Sequence, residues 1–399
     1  MLKSVDAVES GVELRERLAI FDSRVLAHPL RAEALERFLS TRSGLQRPGR
    51  YWRIDLESIL PEPASITGIS GSVRIENPLS RVTACDLATA ARQHPEMLAR
   101  AFGATHVRAT KFGALATAFA GLGAFVAIPA DAATDDPIVI RYAIPDGTSA
   151  FPYTVVLAER GARATIVEYV EGGGGGAFVS SATEIVTAEN ADVTYAGCQQ
   201  LAPGSRSFST RAALPGRDAA VAWAVAELGS ALTVCDLSVA IESPGAEAHV
   251  TVLFFPDENQ HVDVVSTIDH DVGDSVSQTI VKSAAVDNAQ ARYLGNIRIA
   301  PRAQGSDASL RDDALLLSPN AHIDSVPALE IGANDVKAFH GATVGALDDE
   351  QIFYMQTRGI ERSQAERMIA LGFFEPAIAR FPTDALRERI RGSLAAKLP

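Results

Sequence analysis

The chain has 399 residues, 47% of them hydrophobic and 21% charged. That suits one large folded domain with appendages, or two to three domains, and excludes a disordered chain. Its formal net charge of -13 lacks the basic footprint that nucleic-acid binding requires.

The three cysteines, Cys85, Cys198 and Cys235, are far apart and form no CxxC pair. They predict neither a disulfide framework, nor a self-contained zinc site, nor a four-thiolate iron–sulfur site built by this chain alone. The opening Met1-Leu-Lys-Ser-Val-Asp6 has no apolar signal core, which predicts a cytoplasmic protein.

Residues 1–108 read as mainly helical. Val12–Leu26 and Arg31–Leu39 carry apolar residues at helical spacing, and Asp86–Phe102 is a third candidate helix. Arg50-Tyr-Trp-Arg-Ile-Asp-Leu56 lies between them as a loop, with Tyr51 and Trp52 read as packing anchors. Phe112–Ala130 holds no charged residue and is long enough to span a bilayer. Gly121, Gly123 and Pro129 favour a short packed helix, a glycine turn and a buried strand instead.

From about Asp136 the texture turns to strands. Ile138–Ile144, Thr154–Leu157, Ala164–Val170, Ala219–Ala226, Leu232–Ile241 and His249–Phe255 are short apolar runs, mostly bounded by Gly, Asn, Asp or Pro. A small or polar residue before Ala recurs at Gly161-Ala162, Asn190-Ala191, Asp218-Ala219 and Gly245-Ala246. From 162 to 191 to 219 to 246 the steps are 29, 28 and 27 residues, and Asn288-Ala289 to Asn320-Ala321 is 32. This spacing predicts a β-solenoid whose coils stack on their neighbours, with a β-sandwich as the alternative. Gly172–Gly176 is followed by Ala177-Phe-Val-Ser180 rather than GK[ST] and a helix, so it is no phosphate-binding loop.

The tail from Leu347 to Pro399 reads as three helices. Asp348 caps the first, which ends at Gly359; Ser363–Leu371 stops at Gly372; and Thr383 caps Asp384–Lys397. Such helices serve equally to close the end of a solenoid.

Three groups of residues carry candidate chemistry. His340 lies between Phe339 and Gly341 in a small-residue bend, read either as a satisfied turn histidine or as a neutral imidazole ligand for iron or zinc. Glu330 and Asp335 are the carboxylates near it in sequence that could orient such a ring. His261, Asp263, Asp269, His270, Asp271 and Asp274 read as solvated turns or, without recognised ligand spacing, as a metal site. Asp312 and Asp313 invite comparison with the paired carboxylates of polysaccharide-cleaving β-helix enzymes, but adjacent strand residues face opposite ways.

Lys111–Pro129 with Asp136-Pro137-Ile138, Leu315-Leu-Leu-Ser-Pro-Asn-Ala321 with Pro327-Ala-Leu-Glu-Ile331, and Asp335–Gly345 running into Phe353-Tyr354, Arg358-Gly359-Ile360, Ala365 and Gly372-Phe373 together resemble the SufB/SufD family of iron–sulfur cluster assembly scaffolds. Arg50-Tyr-Trp-Arg53 resembles the family's N-terminal aromatic arm. The Leu-Leu-Leu-Ser, Pro-Ala-Leu-Glu-Ile and His-Gly-Ala-Thr-Val-Gly stretches resemble the SufD type.

The resemblance implies a mainly β protein: a right-handed parallel β-helix over 109–345, flanked by helical regions at 1–108 and 346–399. It implies a non-enzymatic scaffold subunit that pairs with a SufB-like subunit through the β-helix ends. It further implies that residues 346–399 dock a SufC-like ABC ATPase and that no membrane or nucleic acid is engaged; a homodimer when the partner is absent is left open. His340 would ligate a transient iron–sulfur cluster or iron shared across the interface, with no cluster held by this chain alone. Where many members of the type carry cysteine, two residues before this histidine, this chain has Ala338. Two alternatives stand beside this: a purely structural partner with no cluster ligand, and a carbohydrate-active β-helix enzyme.

Overall fold

The computed structural model describes residues 11–19, 28–41, 51, 53–55, 59–61, 66, 70–76 and 81–398. Residues 11–19 are helical, and the rest of the Val12–Leu26 prediction lies outside the described residues, as do Arg50 and Trp52. Helix α1 spans Pro29–Ser40. Strands β1 (Ser72–Glu76) and β2 (Thr83–Asp86) follow. The single helix expected over Asp86–Phe102 is two, α2 (Leu87–Gln93) and α3 (Pro95–Ala99). Asp86 caps the first, and Pro95, which has no N–H to donate, forces a new start at His94. Helix α4 spans Lys111–Ala118, and the apolar stretch then enters strand β3 (Leu122–Ile128), buried throughout. Among the described residues no helix is long and apolar enough to cross a membrane.

Two strands per coil then alternate. The sheet A members are β4 (Ile138–Ile144), β7 (Arg163–Gly172), β9 (Asp192–Leu201), β11 (Ala220–Glu227), β13 (Glu247–Phe254), β15 (Val276–Ala285), β17 (Asp307–Leu316) and β19 (Lys337–Ala346). Interleaved with them in sequence are β5 (Ser149–Ala150) and the sheet B strands β6 (Pro152–Ala158), β8 (Phe178–Thr187), β10 (Arg206–Leu214), β12 (Leu232–Ile241), β14 (His261–His270), β16 (Gln290–Ile299) and β18 (His322–Ile331). Each sheet lists its strands in steps of one coil, and these pairings are parallel. The result is a parallel β-solenoid of about eight turns with helices at both ends, as the alanine spacing predicts; the sandwich alternative fails.

The predicted spacing marks a real corner. Ala162, Ala191, Ala219 and Ala246 are all buried, each one residue before a sheet A strand. The residue ahead of each takes a left-handed backbone: Asp131, Gly161, Asn190, Asp218, Gly245, Asp274 and Gly305 form a stacked column with φ between 53° and 76°. Glycine and Asx residues are the ones that tolerate this region. Each donates its backbone N–H to the next coil, as Asn190 N does to Arg217 O and Asp218 N to Pro244 O. At another corner, Asn320 donates its side-chain amide to Asn288 Oδ1.

Alternate strand residues face the lumen, so each interior column reads down the register. One runs Ile166, Tyr195, Trp223, Val250, Thr279, Leu310 and His340. All but the last are buried. The outer face of sheet B is covered by α4, whose Phe112 stacks on Phe208 at 3.7 Å between centroids and meets Tyr51 edge-on.

The outer face of sheet A is covered by the tail helices α6 (Arg362–Ile378) and α7 (Asp384–Lys397), which bury Phe374, Ile378, Leu386, Ile390 and Leu394 against Ala196, Ala226, Leu253 and Phe255. Helix α6 runs straight through Gly372, where the sequence predicts a stop. Burial of Phe374, Ala377 and Ile378 in that cluster outweighs the roughly 1 kcal/mol cost of an interior glycine. Helix α5 (Asp349–Thr357), capped by Asp348, buries only Ile352 and leaves Phe353 and Tyr354 exposed.

Candidate functional site

The two ends of the solenoid differ. At the N-terminal end the sheets finish in β1 and β2, short strands paired antiparallel to β4 and β3. At the C-terminal end they finish in β18 and β19, each ten residues long and paired on one side only. Proteins normally blunt or cover such long edges, because a row of free N–H and C=O groups templates pairing with another chain. This terminal coil also exposes Phe339 (61%), Ile331, Val344 and Val326.

His340 sits on β19, not in a bend, with small neighbours Gly341, Ala338 and Ala342 that let an exposed strand continue to Ala346. The satisfied-turn interpretation therefore fails. Its register partner is Leu310, an interior residue, so His340 heads an interior column at the open end of the lumen. No hydrogen bond holds its ring among the described residues, and neither Glu330 nor Asp335 orients it.

One layer deeper, the neighbouring column reads Val225, Val252, Val281, Asp312 and Ala342. Asp312 is fully buried, and one oxygen accepts a bond from the Ser325 hydroxyl on β18. Its Oδ1 has no hydrogen-bond partner among the described residues. Burial, more than any neighbour, pushes this carboxyl up to about 7. Asp313 faces the other way and is bonded by Lys282 and Arg311, both at 2.9 Å. The two carboxyls therefore diverge, as strand geometry requires, and the paired-carboxylate glycosidase interpretation has no geometry behind it.

Farther down, the lumen holds a polar cluster that sequence reasoning did not find. Arg211 pairs with Glu227 at 2.8 Å, both buried, and its Nη1 also reaches Ser209 at 2.9 Å and Cys235 Sγ at 3.1 Å. Glu168 accepts from Thr154, which also hydrogen-bonds Tyr142, and burial raises its carboxyl above the ordinary range. No local pattern in the strands that carry Glu168, Arg211 and Glu227 signals this, because the partners lie 14 to 24 residues apart.

Cys198 and Cys235 are buried, and burial pushes both thiols up to about 12. They offer no thiolate for a metal. The His261–Asp274 stretch is neither a solvated turn nor a metal site. It is strand β14 and its corner: Arg292 forks onto Asp263 at 2.6–2.8 Å, Arg298 reaches Asp269 at 2.8 Å, and His270 is buried between the hydroxyls of Ser275 and Ser277 at 2.7 and 2.8 Å. Among the described residues no group of three or more His, Cys, Asp and Glu gathers around a metal position. His340 and the unpartnered Asp312 oxygen offer one nitrogen and one oxygen donor at the same end of the lumen, and two protein donors leave most of an iron coordination sphere to water or other ligands.

A parallel β-solenoid with an exposed, apolar-edged terminal coil defines a solenoid protein with one end available for contact. Comparison narrows this further. Residues 142–373 match the family described as SUF system FeS cluster assembly, SufBD core domain, and the chain belongs to it. The chain is 27% identical over 320 residues to the iron-sulfur cluster assembly protein SufD of Bacillus subtilis (strain 168), covering 78% of this chain and 73% of that protein. It is 29% identical over 282 residues to an iron-sulfur cluster assembly SufBD family protein of Mycobacterium tuberculosis, covering 68% and 70%. A Staphylococcus saprophyticus member of the same family is 26% identical over 306 residues, covering 75% and 65%.

Proposed function

We propose that this chain is the SufD-type subunit of a cytoplasmic iron–sulfur cluster assembly complex, without catalysis of its own. Its units would be a helical region at 1–108, the β-helix core at 109–345 and a helical region at 346–399. Strands β18 and β19 pair with a SufB-like subunit, and His340 faces that contact as a ligand for a cluster in transit, shared with the partner. Residues 346–399 dock a SufC-like ABC ATPase, with Phe353 and Tyr354 of α5 as the apolar contacts.

The observation that carries this reading is the terminal coil. Its two ten-residue edges and its inward-facing imidazole, without a partner among the described residues, and its exposed Phe339 and Ile331 all lie on one end of the molecule. A nitrogen ligand in place of a fourth thiolate weakens the hold on a cluster that must leave. Two experiments test it. Affinity purification of the full chain from its own cytoplasm is expected to recover a cysteine-bearing homologue and an ABC-type ATPase; recovery of neither sinks the proposal. His340→Ala is expected to leave the complex assembled and lower its cluster loading. Unchanged loading would make the chain a structural partner only.

A further inference from the structure

We propose that Asp312 is a second iron-binding group of the open lumen, acting with His340 to hold a ferrous ion on this chain; the inference rests on the proposed function and deepens it.

The argument begins with an unusual carboxyl. In the four preceding coils its column holds Gly197, Val225, Val252 and Val281, and the one other carboxyl named in it, Glu168 a coil deeper, accepts from the Thr154 hydroxyl. A carboxyl at the next position is fully buried, and its Oδ1 meets no donor. A buried polar atom left unpaired costs about 1–3 kcal/mol, so a core built only for stability would not keep it. The opposite side chain on the outer face, Asp313, has two cationic partners, while among the described residues Asp312 is hydrogen-bonded by the Ser325 hydroxyl alone.

Position supplies the second observation. Ser325 belongs to terminal strand β18, so the Asp312 carboxyl reaches the last layer of the lumen. Directly above it on β19 stands only the methyl of Ala342. His340 is two residues along the same strand and projects to the same side. A strand spacing of about 4.8 Å and two residues of rise at about 3.3 Å put the Cα atoms of Asp312 and His340 roughly 8 Å apart, within reach of one cation shared by a carboxylate and an imidazole. Ala338 and Ala342 flank the ring on its inward side, leaving room beside it. An oxygen and a nitrogen donor together suit ferrous iron, whose remaining positions stay open to water, sulfide or a partner's ligands.

The test uses the purified full chain under anaerobic conditions, with Co(II) as the visible-spectrum surrogate and Fe(II) as the metal itself. The wild type is expected to take up one equivalent, with cobalt ligand-field bands. Asp312→Asn, which keeps the shape and the bond from Ser325, is expected to weaken binding by about 10- to 100-fold, and His340→Ala to do the same. Ser325→Ala frees the carboxylate and is expected to retain or tighten the site, which separates loss of a ligand from loss of packing. Far-ultraviolet circular dichroism checks that each variant is folded. A wild type that holds no metal, or an Asp312→Asn variant that binds as the wild type does, overturns the proposal. Co-purification of Asp312→Asn with the partner subunits is expected to be normal, so failure to recover partners with the wild type counts against the assembly reading alone.

Discussion

The left-handed corner column makes a quantitative prediction at Gly245. Its φ of +72° is one that L-residues avoid, and a Cβ there would sit 1.9 Å from Asp218 Oδ1 and 3.0 Å from Asp218 Cγ in the coil before. Gly245→Ala therefore incurs two penalties. The backbone term is about 1–2 kcal/mol, and turning the exposed Asp218 carboxylate off its rotamer adds about 0.5–1.5 kcal/mol, for a total of roughly 1.5–3.5 kcal/mol. Gly359, with φ +84° and nothing within 4 Å of its Cβ position, isolates the backbone term: Gly359→Ala is expected to cost only about 1–2 kcal/mol. Combining Asp218→Gly with Gly245→Ala removes the obstructing carboxylate and is expected to recover the rotamer term, because the two sites touch and so couple. Urea unfolding of the full chain, followed by circular dichroism, measures all four proteins. If Gly245→Ala costs no more than Gly359→Ala, or if Asp218→Gly brings no relief, the stacked-column account of the corner is wrong.

The polar lumen supports two further predictions. Arg211→Met leaves Glu227 buried without its cation and is expected to cost about 3–5 kcal/mol, whereas Arg211→Met with Glu227→Leu is expected to be near neutral; a double variant less stable than the single one refutes this. His270, held neutral between Ser275 and Ser277, has its pKa lowered by burial to about 4. The unfolded chain takes the proton first, so this group's stabilisation is complete above about pH 6.5 and drains away as pH falls to about 4, by up to about 3 kcal/mol. His270→Asn is expected to flatten the acid limb of the unfolding midpoint across that window, and an unchanged slope would refute the assignment.

What was legible in the sequence follows from what is local. Gly161-Ala162 through Gly245-Ala246 mark a corner in which one residue must be left-handed and the next must be small, and both demands act within two residues. The caps at Asp348 and Thr383 are local in the same sense, since each side chain accepts a backbone N–H two or three residues on.

What was not legible depends on stacking. Helix α6 crosses Gly372 because of what Phe374 and Ile378 bury, and that surface comes from strands of several earlier coils. The stretch from His261 to Asp274 looked like solvated turns because its charges had no visible partners; Arg292 and Arg298 supply them one coil later, 29 residues away. His340 was found as a residue, but its exposed strand and inward direction were not. The direction follows from register with Leu310, and no local pattern encodes register across 30 residues.

The same stacking logic accounts for why a functional group would be kept at the end of the solenoid and not within it. An interior column is a core position in every coil but the last. Inside, an imidazole must be made tolerable: His270 needs two hydroxyls and loses its proton affinity. Arg211 needs Glu227, and even then Arg211 Nε and Glu227 Oε2 find no hydrogen-bond partner among the described residues. At His340 the column continues into open space, so a polar ring can face inward without a desolvation cost until something covers it. Whatever covers it also lies against the edge of β19, because that edge and the ring share one strand. The N-terminal end cannot play this part, since β1 and β2 turn antiparallel and finish the sheets with strands of five and four residues. A solenoid closed at one end and open at the other thus brings a core column to the surface at its C-terminal end, where His340 is exposed, Ser325 half-buried and Asp312 buried one layer beneath.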